Sequence, residues 1–401
     1  MTSSHGNSSP AGDTHRNVGL LAACQAMLLT NNSTLVAING LAGLALAPTP
    51  ALATLPVTCW VVGGAIGTMP ASQYMKRVGR RPGLMGGAAI GIAGALLCAF
   101  AVSQASFRLL CFGALVFGVF NAFGQYYRFV ASEVAPPDYR ATAVSLVLAG
   151  GLVGGLIGPA TSRVTIDLLS TKFTGAYLAL VGFALVTIAI LSFTRIPDLS
   201  ADEKAAAGRP LAEIAAQPKF VVAVLAAALS YGVMNFLMTS TPIAMRICGH
   251  AYGDTAFVIA SHVIAMFAPS FVTGNLIRRF GVVQVMLAGA VLNVACVCVA
   301  LAGVEVANFW WSLVLLGVGW NFLYIGATAL LTETYRPEER ARAQGANETA
   351  IFVMMTLSSF SSGLIVTGAG WEKVNLSASP LIAIVFAALL YLSLGRRRSR
   401  T

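Results

Sequence analysis

Lys76-Arg77-Val78-Gly79-Arg80-Arg81-Pro82 is a basic turn set between two long apolar runs, Ala51 to Tyr74 and Gly83 to Val102. Each run is long enough to cross the hydrocarbon of a bilayer, and so short a connection makes the two spans antiparallel neighbours. Four cations in the connection place it on the cytoplasmic side. The device returns as Arg278-Arg279-Phe280-Gly281, again between apolar runs, so the chain reads as two copies of one unit.

The rest of the chain agrees. Of its 401 residues 57% are hydrophobic and 10% charged, whereas a soluble domain carries about 25% charged residues. Apolar segments of spanning length occur at 18–40, 52–74, 83–103, 108–132, 142–166, 175–194, 220–243, 255–277, 282–303, 308–331, 343–366 and 379–395, which predicts an all-α membrane protein of twelve transmembrane helices. With both termini cytoplasmic, 19 of the 25 Lys and Arg fall on that side. Arg108, Arg163, Lys172, Arg246 and Lys373 fall on the other, and Arg128 lies inside span 4. The net charge of +10 is therefore the signature of topology, and no nucleic-acid partner is expected. The seven cysteines show neither a disulfide framework nor ligand spacing, so no metal site is expected. With no nucleotide loop and no nucleophile constellation, the chain is read as a transporter with no cofactor and not as an enzyme.

The only long hydrophilic connection, 195–219, divides the spans six and six. The organisation expected is a disordered cytoplasmic tail (1–17), a six-helix bundle (18–194), a cytoplasmic central loop (195–219), a second six-helix bundle (220–395) and a basic cytoplasmic tail (396–401). An offset of 200 aligns Asn121 with Asn321, Glu133 with Glu333, Pro137 with Pro337 and Arg140 with Arg340, while an offset of 202 aligns Arg77 with Arg279 and Gly79 with Gly281. Ordered matches at one offset indicate an internal repeat, and parallel six-span repeats point to a rocking transporter.

Twelve spans, the 6+6 repeat, the central loop and Arg77-x-Gly79-Arg80-Arg81 between spans 2 and 3 resemble the major facilitator superfamily over nearly the whole chain. The resemblance implies two pseudo-symmetric bundles about a central cavity lined by spans 1, 4, 7 and 10, in the cytoplasmic (inner) membrane. One departure is that the family usually has Asp directly before the first Arg of this loop, where this chain has Lys76. With Glu348 early in span 11, an exchanged charge pair Lys76–Glu348 is expected across the halves. In span 5, Gly154-x-x-x-Gly158-Pro159 is similar to the motif of the family's drug:proton antiporters; plain small-residue helix packing is the alternative. The Arg that antiporters often carry early in span 4 is missing.

The four cavity spans each carry Asn in apolar surroundings, which fits a wet pathway or, alternatively, hydrogen bonds between helices. The expected substrate-binding residues are Asn32, Asn121, Gln125, Tyr127, Arg128, Asn235, Trp320, Asn321 and Tyr324. Arg128, after Tyr126 and Tyr127, suits an anionic or planar substrate, or else it snorkels or pairs with Glu133. His262 and Glu348 are the titratable groups well inside spans and are the candidates for proton coupling, a satisfied structural His being the alternative for the former. A cytoplasmic lock is expected from Lys76, Arg77, Arg80, Arg81, Glu133, Arg140, Arg278, Arg279, Glu333 and Arg340, with Glu133 facing Arg77 to Arg81 and Glu333 facing Arg278 and Arg279. The function expected is alternating-access transport of a small organic solute by a monomer in contact with membrane lipids, as export in exchange for protons. Uptake by symport or facilitated diffusion is the alternative, and a non-transporting membrane sensor a more remote one.

Overall fold

The computed structural model describes residues 10–49, 52–197 and 208–398. The expected tail up to residue 9, the acidic part of the central loop and the final three residues lie outside them. Helices α1 (Pro10–Leu46), α2 (Leu55–Val78) and α3 (Arg80–Ser103) form spans 1 to 3, and α4 (Phe107–Gly124) with α5 (Tyr127–Val134) forms span 4. Then come α6 (Arg140–Thr165) and α7 (Thr174–Ser192), and the short α8 (Leu211–Ala215) at the end of the central loop. In the second half α9 (Pro218–Ile247) is span 7, α10 (Tyr252–Phe267) with α11 (Ser270–Phe280) is span 8, and α12 (Val282–Leu301) and α13 (Val306–Leu331) are spans 9 and 10. The long α14 (Arg340–Arg398) holds spans 11 and 12. Among the described residues nine helices are long and apolar enough to cross a membrane, and the bent pair α10 and α11 makes ten. Splitting α14 and adding α2, whose second half is the more polar, gives the twelve.

The two basic turns have the same backbone. Gly79 sits at φ 99° and ψ 161°, and Gly281 at φ 92° and ψ 152°. A side chain is strained in that region, so glycine lets one residue end a span and begin the next. Gly370, at φ 81°, does the same on the other side between spans 11 and 12. The loop expected over 367–378 is absent, and helix runs through it on both sides of that one residue.

At the start of the chain α1 begins at Pro10, earlier than residue 18, and this shortens the expected tail. Asn17 is the reason: its amide donates to the Arg195 carbonyl at 2.7 Å and accepts from the Arg195 N–H at 2.9 Å, tying this turn to the end of span 6. Two proline- or loop-related breaks shape the interior. Span 4 is interrupted at Gln125 and Tyr126, and span 8 bends by 41° at Ala268 and Pro269, where proline removes a backbone donor.

Span 5 shows what its glycines do. A Cβ at Gly154 would stand 2.6 Å from the Ala26 carbonyl oxygen and 2.7 Å from the Thr30 nitrogen, and Gly150 and Gly158 lie equally close to span 1. Helices that touch through their backbones need Gly there, so the stripe packs span 5 on span 1, the alternative weighed for that motif. The next face, Gly151 and Gly155, meets Phe267 and Val263 of span 8 in the other half.

Candidate functional site

The two halves meet through the span ends on the side of the two basic turns. Ser72 of span 2 donates to the Ala341 carbonyl of span 11 at 2.7 Å, and Ser145 of span 5 reaches the Ser270 carbonyl of span 8. Between these lies an ionic cluster. Glu133 accepts from Arg80 Nε at 3.0 Å, from Arg340 Nη1 at 3.0 Å and from Gln344 Nε2 at 2.9 Å, and Arg80 Nη2 also reaches Gln344 Oε1 at 2.6 Å. Arg80 is almost fully buried and Glu133 largely so, which makes the cluster less open to salt screening than a surface pair. Among the described residues the hydrogen bonds between halves all lie on this side. Close contacts reach inward as far as Gly64 against Phe352 and Gly155 against Val263. The side of the basic turns is therefore closed.

Directly above this closure is a second, buried ion pair. Arg128 of α5 and Glu348 of span 11 bond each other, and both are at most 2% exposed. Arg128 is the second residue of α5, just past the irregular turn at Gln125 and Tyr126, and its guanidinium reaches across to span 11 of the other half. Arg128 Nη1 donates to the Gln125 carbonyl at 2.9 Å, Nε donates to Thr328 Oγ1 at 3.2 Å, and Asn347 Nδ2 donates to Glu348 Oε1 at 2.7 Å. The guanidinium lies between two rings, 4.6 Å from the centroid of Phe129 and 4.5 Å from that of Tyr324. Removing either charge would strand the other in a dry setting, which costs about 3–5 kcal/mol.

The polar chain continues into the N-terminal half. Gln125 Nε2 and Asn32 Nδ2 both donate to Asn121 Oδ1, at 3.3 Å and 2.8 Å, linking spans 1 and 4. On the C-terminal side is an aromatic wall. Trp320 stacks on Tyr324 with centroids 4.8 Å apart, and Tyr231 and Phe267 stand edge-on to it. Tyr231, Gln125 and Asn32 are half-buried, while Trp320 and Tyr324 are buried. Glu348 Oε2, Trp320 Nε1 and Asn32 Oδ1 are buried without a hydrogen-bond partner among the described residues.

The sequence candidates thus divide. Asn32, Asn121, Gln125, Arg128, Trp320, Tyr324 and Glu348 are brought together. Asn321 is not: it donates to the Met266 carbonyl and Ser270 Oγ and accepts from Thr273, so it ties span 10 to the bend of span 8. Asn235 likewise ties span 7 to Ser358 and Ser359 of span 11. In both, the interhelical alternative holds, because a buried amide takes whatever partners a neighbouring helix offers. Tyr127 is buried in the N-terminal core, and Tyr126 donates to the Thr68 carbonyl, so the rings beside Arg128 are Phe129 and Tyr324 instead. His262 donates a hydrogen bond from Nδ1 to the Leu313 carbonyl at 2.7 Å inside the C-terminal half, as the structural alternative expects, while its Nε2 is buried without a partner among the described residues.

The lock is narrower than expected. Arg80, Glu133 and Arg340 form it with Gln344, which lies four residues after Arg340 on the same helix face and could have been found from that spacing. Arg81 instead caps span 6, donating to the Ser192 carbonyl at 2.6 Å. Glu333 takes Lys219 at 3.2 Å, Arg278 bonds Asn275, and Arg279 lies over Phe280, so the expected pairing of Glu333 with those arginines is not made. The exchanged pair Lys76–Glu348 is overturned, since Glu348 is already neutralised by Arg128. No ion pair of Lys76, Arg77 or Arg140 is seen among the described residues.

Comparison with known proteins places these features. The Major Facilitator Superfamily profile matches residues 21–261 and 223–401. A riboflavin transporter, RfnT of Brucella anthropi, is 39% identical over 378 residues, covering 94% of this chain and 95% of its own. Among solved structures, the transporter FucP in its outward conformation superposes with a TM-score of 0.73 at 17% identity, covering 93% of this chain and 98% of that one. An outward-facing bacterial homologue of ferroportin gives 0.74 at 10%, covering 94% and 99%.

Proposed function

The chain belongs to the major facilitator superfamily, and from that premise we propose that it takes up a planar heteroaromatic solute of the riboflavin type by alternating access, with a proton. The observation that carries this is the aromatic wall of Tyr231, Trp320 and Tyr324 set beside the buried Arg128–Glu348 pair. Rings of this kind offer a flat solute two faces for stacking, and the unpaired Trp320 donor and Glu348 acceptor suit the imide edge of a flavin ring. A relative of the same length that carries riboflavin supports the same class.

Uptake is the direction preferred over the export first expected. Export rested on the span 5 motif, whose glycines serve to pack span 5 against span 1, and the antiporters' Arg early in span 4 is missing. Opening the cytoplasmic side must part Arg128 from Glu348, since they lie on opposite halves. A proton on Glu348 as the pair separates would spare the membrane an isolated carboxylate, which makes symport the natural coupling. The test is accumulation of labelled riboflavin in inside-in vesicles with an imposed inward proton gradient. Gradient-driven accumulation that vanishes in Glu348→Gln supports the reading. Gradient-driven loss from preloaded vesicles would restore export.

A further inference from the structure

The contact between spans 5 and 8 contains no charge, yet it is built as specifically as the ionic cluster. The Ser145 hydroxyl donates to the Ser270 carbonyl and accepts from the Gly274 N–H at 3.0 Å. Those two groups are four residues apart in the first turn of α11, where a helix pairs its own carbonyl and N–H. One hydroxyl from the N-terminal half therefore bridges an i,i+4 pair of the C-terminal half. Gly274 makes the approach possible: a Cβ there would run into the Thr142 backbone and stand 2.9 Å from the Ala141 carbonyl oxygen. Ser145 and Ser270 are each 1% exposed. The turn that receives the hydroxyl follows directly on Pro269, where span 8 is bent.

We propose that Ser145 is the positioning residue of a second cytoplasmic latch, a neutral one, which holds spans 5 and 8 together independently of the Arg80–Glu133–Arg340 cluster. The latch releases without stranding a polar group. When the halves part, the Ser270 carbonyl and Gly274 N–H keep each other as helix partners, and the serine hydroxyl can turn back to the carbonyl four residues before it, Ala141. Both states are then fully bonded, which is what a bistable element in a membrane needs. The ionic cluster, in contrast, leaves charges to rehydrate. While closed, the cluster is shielded from salt, but its charges are exposed once the halves part, so salt favours opening of the ionic part of the closure and not of the neutral latch.

The inference rests on alternating access but not on the solute or its direction, so its test uses no substrate. Amide hydrogen exchange is followed in the full chain in lipid nanodiscs, in segments 139–150 and 268–281, at low salt and in molar KCl, where screening reaches within about 3 Å. Wild-type protein is expected to keep both segments protected in either salt. Ser145→Ala should exchange there roughly three- to tenfold faster, and the excess should grow in high salt, because only the ionic cluster then holds the gate. Gly274→Ala should give the same pattern by wedging the helices apart, and Ser145→Cys, whose thiol is only a weak donor and acceptor, takes the place of Ser145→Ala if that variant fails to fold. Equal exchange in Ser145→Ala and wild type at both salts overturns the latch. So does an effect of Gly274→Ala alone, which would leave close packing as the whole of the contact.

Discussion

At the scale of single residues, the pair Arg128–Glu348 dominates, because both charges sit at most 2% exposed and each has only the other to balance it. Arg128→Ala and Glu348→Ala should each lower thermal stability by the equivalent of about 3–5 kcal/mol, since each strands a charge. The double replacement Arg128→Met with Glu348→Leu should recover most of that stability while leaving transport absent. Melting curves and uptake measured on the same preparations check this, and a double variant as unstable as the singles would show that the pair is not the origin of the loss. Arg128→Lys separates charge from shape. Lysine keeps the charge but cannot lie flat between Phe129 and Tyr324, so apparent affinity for the proposed flat solute should fall although the chain still folds. Among the lock residues, Arg80→Ala should impair transport and Lys76→Ala should not, because Arg80, unlike Lys76, reaches Glu133.

At the scale of elements, helix contacts through glycine carry the bundle. Gly154 lies against Ala26 and Thr30, while Gly182 of α7 has nothing within 4 Å of an added Cβ. Gly154→Val should therefore reduce the yield of folded protein in detergent extracts, and Gly182→Ala should leave it unchanged or raise it slightly, alanine being the better helix former by about 0.8–1 kcal/mol. Equal yields from both would mean that span 5 can slide along span 1 without cost. The interrupted spans matter for a different reason. Arg128 lies just past the break at Gln125 and Tyr126, and Ser145 grips the turn just past the bend at Pro269. Neither location stands out as a site in the sequence; the first contains no proline at all.

At the scale of the whole molecule, closure on one side is a sum of modest terms. A hydrogen bond between helices in a membrane is worth about 0.6 kcal/mol, so no single bond holds the halves, and a substrate or proton can tip them. Fixing one contact covalently should stop the cycle. Ser72→Cys with Ala341→Cys, at the site of a 2.7 Å hydrogen bond, should crosslink under mild oxidation, arrest transport and recover on reduction. Transport that continues through the crosslinked protein would refute rocking about this contact.

The sequence by itself determined the twelve spans, the repeat and the membership of the fold, because hydrocarbon admits only long apolar helices and the cations mark one side of them. It also picked out the chemistry-bearing residues Arg80, Arg128, Glu133, Arg340 and Glu348. What it could not assign was partnership. Glu348 lies 220 positions from Arg128 and 272 from Lys76, so separation along the chain does not choose between them, and only the docking of the two halves, which lets Arg128 reach span 11, decides. The same holds for the asparagines, since an amide in an apolar span looks alike whether it faces a pathway or a neighbouring helix. Periodicity reports that a side chain turns inward, but the helix it meets there is set by how the two bundles dock, which no local pattern encodes.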